Sequence, residues 1–207
     1  MTTNSVYVKD IANLAYLLKQ TAPSRGLSVD SGGYVSVDEI LTLPEFNHLN
    51  SSIITSYVVY NPYQDFLIKI KKSKYYIGAN DGHLFPVLPS ALYQQVTPKI
   101  STTIPYMIYG CNRENLDNIL RNGIIPIENT SFIYFSTSLI SPLDEKTGIT
   151  ENTDTYIFIN FNYALMDGIS FFLTNRTTVV THGDKSGAIP SKYICNIVDK
   201  NMNQIQI

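Results

Sequence analysis

The side chains here with the most chemical potential stand in short local patterns. Lys69, Lys71, Lys72 and Lys74 follow the alternation Leu67-Ile68-Lys69-Ile70-Lys71, whose period of two puts Lys69 and Lys71 on one face of a half-buried strand. Such a face either keeps an edge strand soluble or meets phosphate, and solvation is the default reading. Arg113 opens a helix directly after Tyr109-Gly110-Cys111, where free backbone N–H groups already favour anions. Glu145 and Glu151 lie in a polar loop, where a carboxylate can orient a nucleophile; two solvated acids is the plainer account. His182 sits in Thr181-His182-Gly183-Asp184, a surface-turn pattern. Cys111 and Cys195 have no partner at metal-ligand spacing, and neither a Gly-rich phosphate loop nor a Ser-His-Asp order occurs. No metal is predicted.

These groups must be held by a folded chain, and the composition provides for one. With 207 residues, 44% hydrophobic and 15% charged, the chain can bury one large core or two small ones, and disorder is excluded as the dominant state. The net charge of -2 argues against broad electrostatic capture of nucleic acid and leaves only a local basic patch for that purpose. Two distant cysteines suit a reducing compartment, and the short, interrupted apolar runs suit neither a leader nor a membrane span. A cytoplasmic location is the expectation.

Along the chain, Ile11, Leu14, Ala15, Leu17 and Leu18 recur at helical spacing and predict an amphipathic helix over Val8 to Lys19. Asp30-Ser31-Gly32-Gly33 signals a turn, Tyr34 to Val37 an extended piece, and Asp38 a cap for a short helix through Leu43. Helix, turn, extended piece and helix suggest a winged-helix-like lobe. Ser52 to Tyr60, rich in β-branched and aromatic residues, reads as a strand, as do Asp65 to Ile70 and Tyr75 to Ile77. Pro86, Pro89 and Pro98 break the following stretch, placing a lobe boundary near Pro98. Beyond it the pattern predicts strands at Tyr106 to Tyr109, Phe132 to Phe135 and Tyr156 to Ile159. A helix is predicted over Asn112 to Arg121, a turn at Asp167-Gly168, and further apolar runs at Ile169 to Leu173, Val179-Val180 and Ile194 to Val198.

Taken in order, several of these patterns resemble the NAD-dependent RNA 2'-phosphotransferase family. In its first lobe that family has Leu-Leu-Arg-His, Gly-Leu, Asp-x-x-Gly-Trp-Val and Ile-Arg-Ala-x-Gln-Gly-His. The chain offers Leu17-Leu18-Lys19-Gln20, Gly26-Leu27, Asp30-Ser31-Gly32-Gly33-Tyr34-Val35 and Ile77-Gly78-Ala79-Asn80-Asp81-Gly82-His83. In the second lobe, Ile108-Tyr109-Gly110-Cys111 resembles Tyr-His-Gly-Thr, and Ile133-Tyr134-Phe135-Ser136 resembles Val-His-Leu-Ser. Asp167-Gly168-Ile169 and Pro190-Ser191-Lys192-Tyr193-Ile194 resemble the closing elements. The resemblance covers about residues 8 to 195. It implies an α+β chain with a winged-helix-like, RNA-binding-type lobe over 1–98 and an NAD-binding, ADP-ribosyltransferase-like sheet lobe over 99–207.

It also implies a chemistry. In the family an internal RNA 2'-phosphate attacks the anomeric carbon of the nicotinamide ribose of NAD and nicotinamide leaves. A ribose hydroxyl then expels the RNA as ADP-ribose cyclic phosphate forms. Bringing two anionic partners together calls for guanidinium groups and imidazole donors. The family's catalytic positions fall on Lys19, Gln20 and His83, and its cofactor-binding positions on Tyr109, Gly110, Cys111, Arg113, Tyr134, Ser136 and Arg176. Several are substituted: Lys19-Gln20 for Arg-His, Gly78 for an arginine, Tyr109 and Tyr134 for histidines, and no arginine between Gly148 and Asp154. The expected function is therefore a divergent RNA 2'-phosphotransferase with reduced or lost activity. Two alternatives stand beside it: an ADP-ribosyltransferase toxin or effector acting on another RNA or protein acceptor, and a non-catalytic module binding RNA or an ADP-ribose-like nucleotide.

Overall fold

The computed structural model describes residues 3–63, 65–128, 130, 132–138, 147–174 and 178–206. The chain is α+β and divides into two compact units, Met1–Leu92 and Tyr93–Ile207.

The first unit opens with α1 (Thr3–Tyr16), which continues into a single π-helical turn, Leu17–Thr21, closed by the Ala22 N–H on the Leu17 carbonyl at 2.8 Å. The wide turn buries Leu17 and Leu18 while leaving Lys19 half-buried and Gln20 exposed. Asp10 on α1 is buried, accepts the Tyr57 hydroxyl at 3.2 Å and meets His48 Nε2 at 3.2 Å. The short pair β1 (Val35–Ser36) and α2 (Val37–Ile40) follows. Asp38 does not cap α2, because extended Ser36 holds that position; its carboxylate instead accepts from Lys74 at 2.8 Å.

The strand expected over Ser52 to Tyr60 is a helix, α3 (Ser51–Val59). Asn50 caps it, its side chain accepting the Ile53 N–H at 3.0 Å, and Ile54 and Val58, four residues apart, supply the buried face. Cap and periodicity outweigh the strand preference of the individual residues, which is context-dependent. β2 (Phe66–Lys71) and β3 (Lys74–Ala79) form a hairpin. Lys72 and Ser73, at φ 51° and 60°, make its two-residue turn, the left-handed pair that matches strand twist. The sheet order is β1-β3-β2, and α4 (Pro89–Leu92) ends the unit. Phe66, Ile77 and Ala79 point into a core built on Leu14, Leu18 and Phe46.

In the second unit β4 (Gln94–Gln95) precedes α5 (Pro98–Ser101). Because β4 pairs with a strand far along the chain, the boundary falls at Leu92–Tyr93, ahead of Pro98. Then come β5 (Ile108–Cys111), α6 (Arg113–Asn122), β6 (Ile133–Ser136) and β7 (Thr155–Ile159). The helix α7 (Phe161–Met166) was not expected; Asn160 caps it by accepting the Tyr163 N–H at 3.2 Å, and Asp167-Gly168 is its C-terminal turn. β8 (Phe172–Leu173), β9 (Thr178–Thr181) and β10 (Ile194–Asp199) complete the described strands. Together with β4 to β7 they form an antiparallel sheet in the order β10-β7-β5-β6-β9-β8-β4, in which β5 is an interior strand between β7 and β6. The core of this unit gathers Met107, Phe135, Ile157 and Phe171. No described helix is long and apolar enough to cross a membrane.

Candidate functional site

In the first unit the π turn and the loop that follows β3 bring Lys19 close to the Asp81–Leu84 segment that carries His83. Lys19 Nζ lies 3.8 Å from Asp81, and the Lys19 carbonyl accepts the Leu84 N–H at 2.8 Å. His83 is only 2% exposed. Gly33, at φ 78°, packs so closely that a Cβ there would sit 2.5 Å from His83 Nε2, and the Phe85 ring stands edge-on at 5.3 Å. Burial pulls the imidazole pKa down to about 4; Asp81 opposes the shift and Lys19 adds to it. His83 is thus neutral at neutral pH. Gln20 points to solvent beside this pair.

Gly78 is covered by an aromatic ring: a Cβ there would lie 3.2 Å from Tyr34 Cδ1 and 3.4 Å from the Gly33 carbonyl. Lys69 Nζ sits over the same ring, 3.7 Å from its centroid, and pairs with Asp30. Asp30 Oδ1 meanwhile accepts the Gly32 and Tyr34 N–H groups at 2.9 and 3.0 Å. Burial pushes this carboxyl up, but the hydrogen bonds from Lys69, Tyr34 and Gly32 outweigh it and hold it below the usual carboxylate range. Gly33 touches both His83 and the Gly78 site, so Lys19, His83, Gly78, Tyr34 and Lys69 form one continuous patch.

In the second unit Tyr109, Gly110 and Cys111 line a cavity of about 380 Å³, facing Asn115 and Asn118 of α6 and reaching Gly148. Two glycines set its floor. A Cβ on Gly110 would lie 2.6 Å from the Gly148 carbonyl, and Gly148 itself has φ 72°. The Gly148 carbonyl also accepts the Thr153 hydroxyl at 2.8 Å, and Thr153 Oγ1 accepts the Thr150 N–H at 2.7 Å, so the 148–153 loop is closed on itself while Gly148 packs against Gly110 of β5. Burial is the main cause that pushes the Cys111 thiol up to about 11, with Asp154 adding and Arg113 opposing; it also raises the Tyr109 phenol. Both are neutral hydrogen-bonding groups, and Cys111 is not a thiolate nucleophile.

Other expected residues lie elsewhere. The Arg113 N–H, the anion donor anticipated at the start of α6, already binds the Asp154 carboxylate at 2.8 Å, and the Arg113 side chain is exposed and does not line the cavity. Tyr134 is buried with its ring 6.2 Å from Phe132. Ser136 is buried and turns its hydroxyl onto Ser138, donating to the carbonyl at 2.8 Å and accepting the N–H at 3.2 Å, so that Ser136-Thr137-Ser138 forms a turn whose backbone groups are satisfied locally. Glu151 is exposed and absent from the cavity wall. Exposed His182 lies 4.8 Å from the Phe132 ring. Arg176 and Glu145 lie outside the described residues.

Residues 9–183 match the family model described as RNA 2'-phosphotransferase, Tpt1/KptA family. The chain belongs to that family. It is 27% identical over 186 residues to a putative tRNA 2'-phosphotransferase of Schizosaccharomyces pombe, covering 89% of this chain and 49% of that protein. With tRNA 2'-phosphotransferase 1 of Bos taurus it shares 29% identity over 183 residues, 87% of this chain and 70% of the relative. With the tRNA 2'-phosphotransferase of Saccharomyces cerevisiae it shares 26% over 192 residues, 90% and 81% respectively. The chain thus spans about half the length of the fission-yeast relative and most of the other two.

Within this RNA 2'-phosphotransferase-family chain, sequence reasoning overlooked Asn115 and Asn118, which with Asn112 recur every third residue and all line the cavity. That spacing keeps side chains near one helix face and was visible in the sequence. Asp154 as the acceptor for α6 was not, since its partner is a backbone N–H distant in sequence.

Proposed function

We propose that this chain is a slow RNA 2'-phosphotransferase, which binds an internal RNA 2'-phosphate on the Lys19–His83 patch of its first unit and NAD in the β5–α6 cavity of its second. The observation that carries the reading is the family match over residues 9–183. The cavity supports it chemically. Its carboxamides and the Tyr109 hydroxyl both donate and accept hydrogen bonds, as recognition of a nucleobase edge and ribose hydroxyls requires. The slowness follows from the side chains present. Lys19 offers a point charge where a guanidinium fork would grip bidentately, Gly78 offers nothing, and the loop at 148–154 carries no arginine. Each lost transition-state contact of this type costs about 3 kcal/mol, so two or three together slow the chemical step by many powers of ten.

Tyr34 lies over Gly78, and this packing favours one second reading, a binding-only protein that retains both ligands. An ADP-ribosyltransferase acting on another acceptor has less support, since the described residues lining the cavity include no Asp or Glu. The test is calorimetric titration of NAD into the wild type and the Tyr109→Ala and Asn115→Ala variants. Saturable binding weakened by both substitutions is expected, and equal affinity in all three proteins would remove the cavity from the account.

A further inference from the structure

We propose that Lys69 is a second phosphate-binding cation of the first unit beside Lys19, acting from β2 on the face that Gly78 leaves without charge. The inference rests on the reading of this patch as an RNA 2'-phosphate site. In the antiparallel register Leu67 faces Gly78 and Lys69 faces Tyr76, so Lys69 and Gly78 share one face as diagonal neighbours, about 7–8 Å apart. A lysine stem covers that distance. Three features position the ammonium. The Tyr34 ring occupies the space beside Gly78 and presents its face to Nζ at 3.7 Å. Asp30 Oδ2 accepts one Nζ proton while Oδ1 is fixed by two backbone N–H groups, so the carboxylate acts as an anchored post. The hairpin turn at Lys72-Ser73 fixes the register that sets the face.

An ammonium has three donors, and Asp30 takes one. The Lys69 side chain keeps 36% exposure, so further donors remain available to an incoming anion. The patch continues through Gly33 to His83, whose ring is buried against that glycine. Lys74 on the same face is engaged by Asp38, and Lys71 is exposed near the hairpin tip. Lys69 alone of these lysines contacts the residues around Gly78. Asp30 and Tyr34 are its positioning residues.

The test measures fluorescence anisotropy of a short single-stranded RNA bearing one internal 2'-phosphate and of the same RNA without it. Wild-type protein, Lys69→Met, Lys69→Arg and Lys71→Met are compared, each checked for folding by circular dichroism. The wild type is expected to prefer the phosphorylated RNA, and Lys69→Met to lose that preference by roughly tenfold or more, the range for hydrogen bonds to charged groups. Lys69→Arg should retain it, and Lys71→Met should weaken both RNAs alike through lost general electrostatics. A Lys69→Met protein that keeps the wild-type preference overturns the assignment and leaves the 2'-phosphate reading standing. A wild type with no preference overturns both.

Discussion

Acid should weaken the first unit through a single buried imidazole. His83 has a folded pKa of about 4 against an ordinary value of 6.5. Between those values the unfolded chain takes up a proton that the folded chain refuses, so stability is full above pH 6.5 and falls as pH drops towards 4. At 1.36 kcal/mol per pH unit, the 2.5-unit separation amounts to roughly 3 kcal/mol by pH 4, and about 2 kcal/mol by pH 5. Carboxylates held low, such as Asp30 and Asp167, lose their contribution only as pH falls through their unfolded values near 4, so between pH 4.5 and 6.5 the difference from a His83 variant isolates this imidazole. The assay is urea unfolding followed by far-ultraviolet circular dichroism at pH 7.5 and pH 5.0, for wild type and His83→Gln. Glutamine keeps a polar side chain in the site and does not titrate. The wild type should lose about 2 kcal/mol more than the variant across this interval. Parallel losses would refute the reasoning and mean that the imidazole is solvated enough to protonate in the folded state.

Three further outcomes follow from packing and capping. Gly110→Ala places a methyl 2.6 Å from the Gly148 carbonyl and should destabilise by about 1–3 kcal/mol in thermal melts, with weaker NAD binding as the cavity floor shifts. Asp154→Ala removes the acceptor for the Arg113 N–H and should cost about 1 kcal/mol in urea unfolding, whereas Glu151→Ala, at an exposed turn, should be nearly silent. Iodoacetamide at pH 8 should label exposed Cys195 well before buried Cys111, read by peptide mass spectrometry; equal rates would contradict the burial of Cys111.

Much of the fold is legible in the sequence wherever one local rule acts alone. The helix α6 has apolar Leu116 and Ile119 on one side and Gly123 at its end, and its observed bounds differ by a single residue from those expected. Strands β5, β6 and β7 stand out as apolar and β-branched runs. Where two rules compete, the reading fails. Residues 51–59 carry strand-favouring side chains on a helical period, and the Asn50 cap decides the outcome. Phe161–Met166 is too short to show a period, and only its Asn160 cap announces it. The candidate site divides in the same way. Lys19, His83 and the Tyr109–Cys111 run are visible because they sit in local patterns. The Gly110–Gly148 contact, the Tyr34 ring over Gly78 and the Asp154 cap depend on residues brought together only by folding.

The most direct test of the account is release of nicotinamide from labelled NAD by the wild-type protein, with and without RNA carrying an internal 2'-phosphate. Slow release that depends on that RNA and yields ADP-ribose cyclic phosphate is the expected result. Release that proceeds equally well without the 2'-phosphate would contradict it, as would its complete absence at saturating NAD and RNA.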